Sequence, residues 1–220
     1  MCFSANASYG SAAVLIAVGA VTSLGNREKS RVMISLVPFL FGVQQLAEGI
    51  IWQTMGQNTT WLPRQFAILT FLGFALVVWP SYIPWAIYHV ETNLNRRKNL
   101  QILGGIGLFA SLLAGWILLS SDLTAYSVGH SLAYRMVNEP RHPKWPSNLE
   151  FTLYVVPTLL PFFVSSLQEI KKAGYLIFSA MVITQIVNQE ASASIWCFFA
   201  ALISLYIAVD VVKVRKGSLA

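Results

Sequence analysis

Apolar stretches alternate with short polar ones along the 220-residue chain, and seven of the stretches reach the length of a membrane-crossing helix, about 20 largely apolar residues. They are expected at roughly 8–25, 32–55, 64–89, 99–120, 149–168, 174–190 and 192–214, with boundaries good to about 2–4 residues. The pattern predicts an all-α fold: a polytopic membrane helical bundle of seven transmembrane helices, forming a single domain over 1–220. The second stretch breaks the apolar pattern in its middle. Val32–Met55 carries Gln44, Gln45 and Glu48. On a helix Gln44, Glu48 and Trp52 are four apart and Gln45 precedes Glu48 by three, so all four share a face. A carboxylate at membrane depth costs about 2.5–3.5 kcal/mol on insertion scales. That cost places Glu48 inside the bundle, toward other helices or a wet cavity.

Two proline pairs punctuate the apolar runs. Pro80 and Pro84 in the third stretch and Pro157 and Pro161 in the fifth each predict a kink with freed backbone carbonyls. Gly107, Ser111 and Gly115 in the fourth form a small-residue stripe that lets a neighbouring helix come close. Between the fourth and fifth stretches lies the long segment 121–148, with Tyr126, His130, Tyr134, Arg135, His142, Lys144 and Trp145. Its length exceeds what a connection needs, so it is expected to be a lid or an interfacial helix followed by a Pro-rich return.

Composition sharpens the class. Apolar residues make up 55% of the chain and charged residues 11%, which excludes an ordinary soluble domain. The net charge of +6 does not indicate nucleic acid, because the basic residues cluster at the ends of the apolar stretches. Alternate connections hold eleven and four Lys or Arg. By the positive-inside rule the amino terminus is outside and the carboxy terminus cytoplasmic. The first residues lack the basic leader of a cleavable signal peptide, so the first helix is expected to stay in the mature chain.

With that orientation, four regions deliver polar groups to the outer leaflet. Glu48 lies seven residues below the outer end of its helix, roughly 10 Å at the helical rise. Gln185, Gln189 and Glu190 end the sixth helix; Ser194, Trp196 and Cys197 begin the seventh; Cys2 and Ser4 precede the first. The inner halves are mostly aliphatic or aromatic. A polar pocket on the non-cytoplasmic side, built from helices one, two, six and seven, is therefore expected. Its ligand-binding candidates are Gln44, Gln45, Trp52, Gln185, Gln189, Ser194, Trp196, Cys197, Cys2 and Ser4, with Gln44, Gln45 and Gln189 on a polar head and Trp52 and Trp196 on the apolar wall.

Three kinds of chemistry fit those residues. One is binding of a small amphipathic or lipid-like ligand. A second is catalysis with Glu48 and Glu190 as a general acid/base pair on a membrane-soluble substrate, which needs one pKa raised by burial and the other left near water. A third is a proton- or ion-coupled carrier, against which the apolar inner halves count. Metal binding, and with it a metal-dependent rather than a terpene-cyclase-like enzyme, is the minority reading: Cys2, Cys197, Glu48, Glu190, His130 and His142 can all reach the outer side, but neither HExxH, HxxxH nor CxxC occurs, so no metal ligands are assigned. No motif names a cofactor; membrane lipids are the expected partners, with no nucleic acid, and the oligomeric state stays open. Each candidate also has a purely structural reading: Glu190 as a helix cap, Cys197 as a small buried hydrophobe, Glu48 as a packing hydrogen bond.

Three segments carry a resemblance. Met1-Cys2-Phe3-Ser4-Ala5, then Phe41-Gly42 through Gln44-Gln45, Glu48-Gly49 and Trp52, then Glu190 with Ser194 and Trp196-Cys197-Phe198-Phe199-Ala200-Ala201 resemble a bacterial family of uncharacterised seven-helix membrane proteins, a domain of unknown function that opens with Met-Cys-Phe-Ser-Ala. The resemblance implies a bacterial inner-membrane location and a grouping of those three segments. It implies no activity, and the histidine-bearing segment contributes little to it.

Overall fold

A computed structural model describes residues 4–24, 28–55, 62–137, 147–187 and 191–217. Seven helices dominate it: α1 (Ala5–Leu24), α2 (Val32–Thr54), α3 (Leu62–Val90), α4 (Leu94–Ser120), α5 (Ser147–Val164), α6 (Gln168–Val187) and α7 (Ser192–Gly217). A single 3₁₀ turn, Lys29–Arg31, leads into α2. Four helices, α1 to α4, are long and apolar enough to cross a membrane. Exposed Phe66, Ile102, Leu112, Leu119, Tyr175 and Ile186 add the outward apolar surface of an integral membrane protein.

The second helix is the centre of the bundle. Of its apolar window 67% is buried, against 28%, 44% and 33% for α1, α3 and α4. Close approach to α1 depends on glycines: a Cβ on Gly19 would fall 2.3 Å from the Phe39 backbone nitrogen, and one on Gly42 would fall 2.6 Å from Ile16 Cγ1. Packing at such distances replaces the hydrophobic drive that lipid cannot supply.

The third helix is composite, with a π-helical segment Gly73–Val78 between α-helical Leu62–Leu72 and Trp79–Val90. Pro80 follows at once, and it cannot donate the backbone bond that would continue a regular ladder. Side-chain hydroxyls reinforce this irregular stretch. Ser111 Oγ donates to Val77 O at 2.6 Å, and Ser81 Oγ to Val77 O and Val78 O, both at 3.1 Å. The Pro80 carbonyl, released by Pro84, lies against Gly107, where a Cβ would sit 1.9 Å from its oxygen. Two of the three stripe residues thus make the α3–α4 contact. Gly115 has room, with Val77 Cγ2 3.8 Å from a Cβ built there.

The segment after α4, expected to be a lid or an interfacial helix, is a β-hairpin over 122–137. Strands β1 (Asp122–Val128) and β2 (Ser131–Val137) pair antiparallel, with Val128 opposite Ser131 and Asp122 opposite Val137. A two-residue loop, Gly129-His130, joins them, and Gly129 takes φ 59°, the left-handed value that glycine adopts without strain. Alternating Leu123 and Ala125 turn inward and join Leu132, Ile51, Phe71 and Cys197 in one apolar cluster. Tyr134 stacks on Phe71 with ring centroids 4.8 Å apart, and Arg64 Nη2 donates to Ala125 O at 3.1 Å. The hairpin closes one end of the bundle, over α2, α3 and α7. The Pro-rich return at 138–146, with His142, lies outside the described residues.

At the opposite end the turn after α3 is clasped to the turn after α5. Glu91, 2% exposed, accepts from Ser166 N and Ser166 Oγ at 2.6 Å each, from Asn93 N at 2.9 Å and from Ser165 Oγ at 3.3 Å. Arg96 Nη1 donates to the carbonyls of Val164 and Ser165 at 2.8 and 2.7 Å, capping the end of α5. Burial pushes the Glu91 carboxyl up, but hydrogen bonds from Ser166, Asn93 and Ser165 outweigh it and hold the pKa below its ordinary 4.5. A lowered folded-state value means the stabilisation is complete above pH 4.5 and lost as the pH falls through that lower value. The expected result is a melting temperature of the detergent-solubilised protein that declines on acidification. Glu91→Gln should start lower and show a flatter acid limb; parallel curves for the two proteins would count against the clasp.

Candidate functional site

Glu48 is 0% exposed, next to Ala47 and one turn before Ile51, which both sit in the apolar cluster beneath the hairpin. Its two oxygens are engaged separately. Ser194 Oγ in α7 donates to Oε1 at 2.5 Å, and Gln45 Nε2 donates to Oε2 at 3.2 Å. Both donors are fully buried and neutral. Gln44, one residue before Gln45 on α2, serves a second set of partners. Its Nε2 donates to Cys197 Sγ at 3.2 Å and to Phe71 O at 3.4 Å, while its Oε1 accepts from Trp79 Nε1 at 2.9 Å. Phe71 O belongs to the turn just before the π-helical segment, so the irregular backbone of α3 is tied to the amide of α2. Trp79 itself is 3% exposed and stacks on Phe41 at 4.0 Å.

These bonds place five predicted residues, Gln44, Gln45, Glu48, Ser194 and Cys197, in one buried polar layer across α2, α3 and α7. Leaving any of its donors unpaired in such surroundings would cost about 1–3 kcal/mol. Helix α1 contributes no side chain to the bonds of this layer described above. Ser4 is exposed and caps α1 instead, its Oγ accepting from Ala7 N at 3.3 Å. Trp52 packs in the cluster beneath the hairpin, with Nε1 buried and without a hydrogen-bond partner among the described residues.

Empty space lies beside the layer rather than in it. One cavity of about 50 Å³ runs between α2, α3, α5, α6 and α7 and extends toward the Glu91 end at Ile34, Ile87 and Ile170. Another, of about 170 Å³, lies between α3, α5, α6 and α7 nearer the hairpin end, with Gln185 and Ser192 on its wall. Both include Tyr154, Trp196 and Cys197 in their linings. Tyr154 and Trp196 meet edge to face with ring centroids 5.5 Å apart and so form the shared wall. Glu48, Gln44 and Gln45 line neither cavity.

A family of unknown function (DUF6629) matches residues 1–220. The chain belongs to that family. No curated protein matches it. The expectation of a family without an assigned activity therefore holds, and any role for a residue in this family member must come from its own geometry.

That geometry divides the predicted set. Trp196 and Cys197 lie on the cavity walls, and Cys197 also belongs to the polar layer. Gln185 is exposed and lines the larger cavity. Cys2, Gln189 and Glu190 lie outside the described residues, as does His142. His130 is exposed at the hairpin loop. Among the described residues no group of three or more His, Cys, Asp or Glu is placed to hold a metal ion. Sequence reasoning missed Trp79 and Tyr154. Each is a donor-bearing aromatic in the middle of an apolar helix, where its polar atom must find a partner from another helix. That was the available signal.

Proposed function

We propose that this protein is a seven-helix integral membrane protein of the bacterial inner membrane that binds a small apolar or amphipathic molecule in the cavity pair beside Glu48. The amino terminus is placed outside and the carboxy terminus in the cytoplasm, on the eleven-to-four distribution of basic residues. In that orientation the larger cavity, with Gln185 and Ser192, faces the outer leaflet, and the hairpin is the lid on the outer end.

The observation that carries the reading is the pair of cavities sharing the Tyr154–Trp196–Cys197 wall. Space for one water takes about 10–15 Å³ on this scale. By that measure the larger cavity takes the end of an acyl or isoprenoid chain, or a compact molecule. The buried layer of Gln44, Gln45, Glu48 and Ser194 holds the three helices around the space in register. It is the support of the site rather than its surface, which favours binding over acid/base catalysis by Glu48: both carboxyl oxygens are occupied by protein donors, and the group lines neither cavity.

Native mass spectrometry of the detergent-purified protein tests this directly. A small organic molecule is expected to co-purify, and Ala193→Phe, which puts a ring into the larger cavity, should displace it without lowering the melting temperature. Identical spectra for both proteins, with no bound species in either, would sink the reading.

A further inference from the structure

Three of the cations at the Glu91 end of the bundle are already engaged. Arg31 pairs with Glu28 at 2.9 Å, Lys172 pairs with Glu169 at 2.8 Å, and Arg96 is spent on the carbonyls that end α5. Arg97 and Lys98, the next two residues of α4, make no ion pair among the described residues. Arg97 is nevertheless held in place: its guanidinium carbon lies 4.4 Å from the centroid of the Tyr88 ring. A cation over an aromatic face at this range is attracted by the ring quadrupole. The ring is fixed in its turn. Gln101 Nε2, four residues along α4 from Arg97, donates to Tyr88 Oη at 3.2 Å, and Trp85 meets Tyr88 edge to face with centroids 5.5 Å apart. Trp85 itself lies where only glycine fits, since a Cβ on Gly104 would fall 2.9 Å from its Cε2. The end of α3 and the start of α4 thus gather a guanidinium, an exposed ammonium and an exposed amide around one phenol.

The helix continues from these polar groups as a surface for hydrocarbon. Lys98, Ile102, Gly105, Phe109 and Leu112 recur every three or four residues and are all exposed, so they form one stripe. Nothing lies within 4 Å of a Cβ added to Gly105, which leaves the stripe open at that level. From Lys98 to Leu112 it runs roughly 20 Å at the helical rise. A molecule matching the whole surface has an anionic head and an apolar tail. A zwitterionic head fits less well, because its ammonium would stand beside two cations. The amides at the start of α4 are not what draws the anion, since Asn93 Oδ1 already accepts from Asn95 N and Arg96 N, both at 3.1 Å.

We propose that the groove between the end of α3 and the start of α4 binds an anionic phospholipid of the inner leaflet, its phosphate on Arg97 and Lys98 and a chain along the Ile102–Leu112 stripe. Tyr88 is a positioning residue that holds the guanidinium ready. The site rests on the membrane orientation given above and goes beyond the cavity ligand, for none of its residues lines either cavity.

The test adds phosphatidylglycerol or phosphatidylcholine of identical chains to the full-length protein in detergent and reads retained lipid by native mass spectrometry. Each cation near an anionic head is worth about fivefold in affinity, so the two together should favour phosphatidylglycerol by about thirtyfold. Arg97→Gln should reduce that preference to about fivefold. Tyr88→Leu keeps both charges and should give a preference between those two values. Lys171→Gln, which removes one charge elsewhere at the same end, should leave it unchanged. Equal retention of the two lipids by the unaltered protein, or equal losses in Arg97→Gln and Lys171→Gln, would overturn the site. So would complete displacement of phosphatidylglycerol by excess inorganic phosphate, which would show that the apolar stripe takes no part. The molecule in the cavities should co-purify with all of these variants, so the two readings fail separately. Should Arg97→Gln not fold, Lys98→Gln, at an exposed position, makes the same comparison.

Discussion

Gly107→Ala is expected to cost about 3 kcal/mol or more of stability, at the upper end of what overpacking does. A Cβ at this position would lie 1.9 Å from the Pro80 carbonyl oxygen, 2.7 Å from its carbon and 3.2 Å from Pro157 Cβ. Those are backbone and ring atoms, with no flexible side-chain end that can swing aside. Moving Pro80 would disturb the π-helical segment before it and break the Ser111 bond to Val77 O, so the strain spreads through α3 instead of relaxing locally. Gly105, two residues earlier on the same helix, has nothing within 4 Å of the same added atom. Gly105→Ala should be neutral or gain up to about 1 kcal/mol from helix propensity. Thermal unfolding of the two variants in one detergent checks the contrast, and equal melting temperatures would show that α3 and α4 do not meet through Gly107.

The residues that were legible in the sequence share one property: their meaning is set locally. A run of apolar residues reads as a helix wherever it packs, and a helix stands at each of the seven expected stretches, with α4 starting at Leu94 instead of 99; four of them, α1 to α4, are long and apolar enough to cross a membrane. The start of α6 moved from 174 to Gln168, because the polar turn Gln168–Lys172 is helical although it is not apolar. Gln44, Gln45 and Glu48 marked the inward face of α2 through desolvation cost alone. Depth then brought Ser194 and Cys197 to the same level, and the hydrogen bonds bear that out.

What stayed hidden depends on rotation and crossing. Depth along a helix says nothing of azimuth, so the sequence does not show that Gln185 stands on the wall of the larger cavity while Glu48 lines neither cavity. Trp79 joins the layer only because the π-helical segment turns α3, and no pattern of hydropathy announces such a turn. The hairpin did have a local signal: Leu123 and Ala125 alternate with Asp122 and Thr124 ahead of Gly129-His130, a two-residue loop with glycine first. Small Ala125 and Ala133 blunted the alternation, and the prolines further on drew the reading toward an irregular lid. Nothing in the sequence singles out Glu91, because its partners, Ser165 and Ser166, come from a turn 74 and 75 residues away.

Glu48 yields the other large effect, and the two substitutions there should behave very differently. Glu48→Leu removes the acceptor for two fully buried donors, Ser194 Oγ and Gln45 Nε2. Each orphaned donor costs about 1–3 kcal/mol, and Ser194 can recover part of its share by turning back to a carbonyl of its own helix. A net loss of about 2–3 kcal/mol is expected. In Glu48→Gln the amide oxygen still accepts from Ser194, and Gln45 can present its own oxygen to the new amide nitrogen, so the loss should stay within about 1 kcal/mol. Adding Ser194→Ala to Glu48→Leu removes one of the stranded groups, so the double variant should be more stable than the two single losses summed. Ligand retention separates support from chemistry. Because the carboxyl lines neither cavity, Glu48→Gln should keep the co-purifying molecule seen by native mass spectrometry. If it folds normally yet loses that molecule, Glu48 itself is the contact, and the layer of amides around it, not the Tyr154–Trp196 wall, is where the ligand binds.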